Sequence, residues 1–185
     1  DEINRAPAKV QLALLEAMAE RQVTFGRQTF ALPDFFMVMA TQNPIEQEGT
    51  YTLPEAQLDR FLLHTVVDYP NREAEQAILQ LVREENAGEV STSQDIAPTL
   101  VSQAQIFQAR RELLALHMAE PVERYLVEIV MASRNPPANL APLIELGASP
   151  RGTIGLDLCA RARAWLAERD FVTPEDVQAI AHDVL

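Results

Sequence analysis

The 185-residue sequence predicts a mixed α/β segment followed by an all-α segment, the change falling near Asn71. Three observations carry this. Two β-prone segments flank Gly26-Arg27, as in a hairpin. The unbroken apolar run Phe35-Phe36-Met37-Val38-Met39-Ala40 reads as a strand buried on both faces, the pattern of a parallel sheet. Beyond Asn71, only helical spacing and helix-start signals recur, among them Ser149-Pro150 and Thr173-Pro174, each an N-cap followed by proline at the first helical position.

In order, Pro7 suits a first helical turn, and Val10, Leu14 and Met18 repeat every four residues beside Leu15, predicting a helix over Ala6 to Glu20. Gln22–Phe25 and Gln28–Ala31 form the predicted hairpin, with Gly first in a two-residue turn. Its register puts Val23, Phe25, Phe30 and Leu32 on one face and Gln22, Thr24 and Thr29 on the other. The Phe35–Ala40 strand ends in polar Thr41-Gln42-Asn43-Pro44, and a polar loop runs from Ile45 to Tyr51. Thr52-Leu53-Pro54-Glu55 fits a capping box opening a short helix to Arg60. Leu62–Val67 is a second strand candidate, ended by Tyr69-Pro70-Asn71. The predicted helices after it are Arg72–Asn86, Gln103–His117, Val122–Arg134, Pro150–Arg169 and Pro174–Val184, with a polar loop over Gly88–Ser102 and a connector over Asn135–Gly147. Residues 1–70 and 71–185 are the expected domains.

Composition narrows the function classes. Hydrophobic residues make up 48% and charged residues 23%, as in globular proteins. The net charge is −12, from 15 Lys+Arg against 27 Asp+Glu, which argues against binding nucleic acid or an anionic membrane through bulk charge. One cysteine, Cys159, excludes an internal disulfide and a cysteine-rich zinc site. The longest apolar run is far below the ~18 residues of a membrane span, and no signal peptide opens the sequence. A soluble, cytoplasmic protein is the expectation. The single lysine, Lys9, stands in Pro-Ala-Lys-Val, so these 185 residues hold no Gly-Lys-Ser/Thr phosphate loop.

Four places carry candidate chemistry. Adjacent carboxylates at Asp1-Glu2 are able to divide labour, one holding hydrated Mg²⁺ and one orienting water, although taken alone they read first as a solvated acidic terminus. Asn43 follows a buried strand, where open parallel sheets bind ligands, and Asn-Pro is also a common turn. Arg60 ends a short helix, where a cation is favourable without any ligand. Arg151 falls in a first helical turn, against the helix dipole, which reads either as a hint of an external anion, with Gly147 and Gly152 leaving room for one, or as an exposed arginine tolerated at small cost. His64, His117 and His182 have no ligand spacing. Trp165 and Phe171 read as core, and Cys159 as a buried small hydrophobe.

In combination the signals are specific. Asp1-Glu2-Ile3-Asn4-Arg5-Ala6-Pro7, Leu14-Leu15-Glu16-Ala17-Met18, Ala40-Thr41-Gln42-Asn43-Pro44, Leu53-Pro54-Glu55-Ala56-Gln57-Leu58-Asp59-Arg60-Phe61 and Gly147-Ala148-Ser149-Pro150-Arg151 follow in this order. The whole chain closely resembles the MoxR family of AAA+ ATPases. The resemblance implies the C-terminal part of a P-loop ATPase core followed by a helical lid bundle. Asp1 and Glu2 resemble the end of the Walker B strand, Asp1 holding Mg²⁺ through water and Glu2 activating the attacking water. Asn43 resembles sensor 1, Arg60 the arginine finger that reaches a neighbouring subunit's nucleotide, and Arg151 sensor 2 in the lid. The hairpin resembles the insertion before sensor 1, a substrate-engaging loop.

The implied cofactors are ATP and Mg²⁺. The implied partners are further copies of the protein, in a hexameric ring, and proteins with von Willebrand factor A-type domains. The implied function is a chaperone-like remodelling ATPase that assists maturation or activation of other proteins. The family's Walker A loop would precede Asp1, so the chain is expected to be a C-terminal fragment, inactive alone. Two other classes stand beside this one: a non-catalytic helical interaction module, and a relative driving DNA transactions, against which the acidic balance counts.

Overall fold

The computed structural model describes residues 2–43, 49–51, 53–87 and 100–185. It divides into two compact units, Asp1–His64 with Arg110–Leu185, and Thr65–Ala109.

In the first unit a 3-10 turn over Ile3–Arg5 leads into α1 (Ala8–Glu20). Pro7 is the N-cap rather than a first-turn residue, its own ψ of 150° lying outside the helical range, and Ala6 before it is extended. The hairpin follows as predicted. β1 (Gln22–Phe25) pairs antiparallel with β2 (Gln28–Ala31), Val23 opposite Phe30 and Thr24 opposite Thr29, around Gly26 at φ 63°. Its polar face is tied to α1. Glu16 accepts hydrogen bonds from Gln22 Nε2 (3.1 Å), Thr24 Oγ1 (2.5 Å) and the Thr24 N–H (3.3 Å), and these hold its carboxyl below the usual value against a smaller opposing effect of desolvation. The apolar face is left outward, with Phe25 81% exposed.

The strands expected at Phe35–Ala40 and Leu62–Val67 do not form; β1 and β2 are the strands among the described residues. An unbroken apolar run specifies burial on both faces, but a strand exists only where a ladder completes its N–H and C=O groups. Here Met37 and Met39 are exposed, and the His64 N–H donates to the Asp183 carbonyl at the end of the last helix instead of to a sheet. The short helix α2 (Glu55–Leu58) has Pro54 as N-cap with no side-chain cap, so the expected capping box is not its start; Thr52 lies outside the described residues.

The core lies in α5 (Glu120–Arg134), α6 (Pro150–Leu166) and α7 (Pro174–Val184). Leu126 and Val130 of α5, Leu156, Ala160 and Ala164 of α6, and Val177 of α7 are buried together with Val172. The alanines keep α6 thin enough to be packed from two sides. Both predicted N-caps hold. Ser149 Oγ accepts from the Arg151 N–H (3.0 Å), and Thr173 forms a capping box with Asp176. Asp176 is buried and also takes both guanidinium nitrogens of Arg169 (2.7 and 2.5 Å). Phe171 is exposed rather than core, although its backbone bridges to His117; Trp165 is half-buried, its Nε1 donating to Glu112. Burial raises the Cys159 thiol, with a smaller push from Asp183, which suits a packing residue and not a nucleophile.

The second unit contains α3 (Arg72–Asn86) and the first part of α4 (Gln103–Ala115). Asn71 caps α3 by accepting from the Ala74 N–H (2.9 Å).

Candidate functional site

The predicted site residues fall into two groupings in the first unit. The first joins the acidic start to the polar segment before Asn43. The Glu2 N–H donates to Thr41 Oγ1 (2.8 Å) and the Ile3 N–H to the Thr41 carbonyl (2.9 Å). Glu2 sits at φ 46°, the left-handed region that a non-glycine residue enters at some energetic cost, a strain found most often at functional sites. Its carboxylate pairs with Arg5 at 2.5 Å and is about one-third exposed. The Tyr51 N–H donates to the Asn4 carbonyl (2.6 Å), bringing the far end of the intervening loop to the same turn. Asn43 is half-buried, two residues past Thr41. Asp1 lies outside the described residues. The backbone of Glu2 and Ile3 is thus held against Thr41, two residues before Asn43.

The second grouping joins α2 to the start of α6. Asp59 is the C-cap of α2, directly before Arg60. Its Oδ2 receives Arg151 Nη1 (2.8 Å) and its Oδ1 receives the Ser149 hydroxyl (2.5 Å). Partial burial works to raise the Asp59 carboxyl, but the Ser149 and Arg151 hydrogen bonds outweigh it and hold the group below its usual value. The anion that Arg151's unfavourable place on the helix calls for is therefore supplied by the chain itself. Asp59 and Ser149 escape a sequence reading centred on the arginines. The available signal is the acid adjoining Arg60 and the hydroxyl capping Arg151's helix.

The two glycines expected to make room for a ligand are packed against protein. A Cβ on Gly147 would stand 2.7 Å from the Arg134 Cα, and one on Gly152 would stand 2.9 Å from the Leu185 side chain. The loop is further held because Arg134 Nε donates to the Ala148 carbonyl (2.8 Å) and the Ala148 N–H to Ser133 Oγ (3.0 Å). Arg60 lines a small pocket with Arg21, Phe36 and Phe61, and its buried Nε has no hydrogen-bond partner among the described residues. Among those residues, no hydrogen bond or ion pair joins Glu2 to Arg60 or Arg151.

Known proteins are similar to this chain in sequence and fold. A family model described as "ATPase family associated with various cellular activities (AAA)" matches residues 1–63, and one described as "AAA lid domain" matches residues 138–185. YeaC of Bacillus subtilis is 44% identical over 181 residues, covering 98% of this chain and 53% of its own length. Chaperone MoxR1 of Mycobacterium tuberculosis is 41% identical over 189 residues, covering 100% of this chain and 48% of its own. A crystal structure of a Cytophaga hutchinsonii protein superposes with a TM-score of 0.85 at 41% identity, over 100% of this chain and 56% of that one. The chain spans about half the length of the curated relatives it matches. The match to the ATPase family and to the lid, in the order and at the residues where the two groupings lie, places the chain in the MoxR family of AAA+ ATPases.

Proposed function

We propose that this chain supplies the end of the ATPase core (residues 1–70) and the helical lid (residues 71–185) of a MoxR-type, chaperone-like remodelling ATPase. The observation that supports the reading is the double contact of Glu2 and Ile3 with Thr41, two residues before Asn43. Asp1 would hold Mg²⁺, which would supply positive charge against the phosphates of ATP. Glu2 takes a proton from the attacking water, and Asn43 orients that water. Arg60 reaches the γ-phosphate of a neighbouring subunit, where such an arginine is worth about 10³–10⁵ in rate. Arg151 adds positive charge from the lid. A protein working this way assembles as a ring, for which six subunits is the proposal, and serves partners of the von Willebrand factor A type in their maturation. With Lys9 as its only lysine, the chain alone lacks a phosphate loop and does not turn over ATP.

The test uses the full-length protein carrying this chain. Arg60→Ala subunits keep their own site, and Glu2→Gln subunits keep their finger. Each variant alone should be nearly inactive. Mixed rings, verified by crosslinking, should regain hydrolysis, since the alanine subunit's ATP meets the other subunit's arginine. Mixed rings no more active than the separate variants would remove Arg60 from the neighbour's site.

A further inference from the structure

Both oxygens of the Asp59 carboxylate are spent on the first turn of α6, one on Arg151 and one on Ser149, whose hydroxyl also accepts the Arg151 N–H. The ring of contacts closes on Arg151 from its side chain and its backbone. The loop behind it is fixed by the packing of Gly147 on Arg134 and by the hydrogen bonds to Ala148. Asp59, directly before Arg60, therefore ties the start of the lid helix to the end of α2. Only Nη1 of Arg151 is engaged, the side chain is about half exposed, and no second acceptor among the described residues takes its other N–H groups.

From this geometry we infer that Asp59 is a positioning residue: it holds the Arg151 guanidinium by one edge, leaves the other edge open to a phosphate, and couples its placement to that of Arg60. The inference rests on the role proposed above for Arg151. An aspartate in this position does what a positioned arginine needs and a free one lacks. It removes the rotamer search and fixes the direction of approach before an anion arrives. A half-exposed ion pair contributes little to folding, so its use is in orientation.

The experiment measures ATP turnover against ATP concentration in the full-length protein, for Asp59→Asn, Arg151→Ala and the double variant, with Ser149→Ala as a milder second probe. Asp59→Asn should lower kcat about 10- to 100-fold while KM for ATP moves less than about threefold. In the Arg151→Ala background the same substitution should add less than about twofold, because a residue acting through another has no effect once the other is gone. Ser149→Ala should lower kcat by about two- to fivefold through the loosened brace. Parent kcat in both Asp59→Asn and Ser149→Ala, or losses that multiply in the double variant, would overturn the inference while an impaired Arg151→Ala left the role of Arg151 standing. An Arg151→Ala variant with parent kcat and KM would overturn both.

Discussion

Asp176 shows how much a single side chain carries in this fold. It is 2% exposed, caps α7 through Thr173, and holds Arg169 by both nitrogens. Burial acts to raise its carboxyl, but Arg169 and Thr173 prevail and hold it below the usual value. Asp176→Ala should destabilise the chain by about 2–4 kcal/mol in urea denaturation, somewhat less than a wholly buried pair because Arg169 reaches water. The pH dependence has a definite sign. A carboxyl depressed in the folded state contributes fully above its unfolded pKa of about 3.9, and the contribution drains as pH falls through the lower folded value. The gap between parent and variant should be constant over about pH 5–7 and narrow below about pH 4. Equal stability at pH 6 would contradict the assignment. The two arginines of the candidate site were legible in the sequence, one from its string and one from its place against a helix dipole. Their common neighbour Asp59 was not, because its meaning lies in a contact across 92 positions of sequence.

At the scale of elements, helix ends and the hairpin were readable because their causes are local. Asn71, Ser149 and Thr173 each take a backbone N–H within three residues, and Gly26 supplies the left-handed turn. The runs Phe35–Ala40 and Leu62–Val67 were not, because a strand is defined by partners elsewhere and apolar content alone names no partner. Gly147 is a third case. Its glycine reads as open space in the sequence, yet in the fold a Cβ there would stand 2.7 Å from the Arg134 Cα of α5. Gly147→Ala should push this loop off the Arg134 backbone, which has no flexible end to yield. The expected loss is about 1–3 kcal/mol, read as a fall of several degrees in Tm. An unchanged melt would mean that the loop preceding Arg151 is not held by α5.

Across the whole molecule, the chain pairs a loosely buried ATPase-core segment with a well-packed lid. Buried residues concentrate in α5, α6 and α7, whereas the core segment exposes Phe25, Phe30, Met37 and Met39. The family assignment and the coarse order, core segment then lid, were legible from the motif strings, which follow one another in the order of the two family matches. The central claim is that Glu2 is the carboxylate that activates water for ATP hydrolysis. It is tested most directly by ATP turnover of the full-length protein bearing Glu2→Gln, measured beside its ATP binding. The amide keeps shape and hydrogen bonding but accepts no proton, so binding should persist and turnover should fall by about 10²–10⁴-fold. Hydrolysis at the parent rate would contradict the claim.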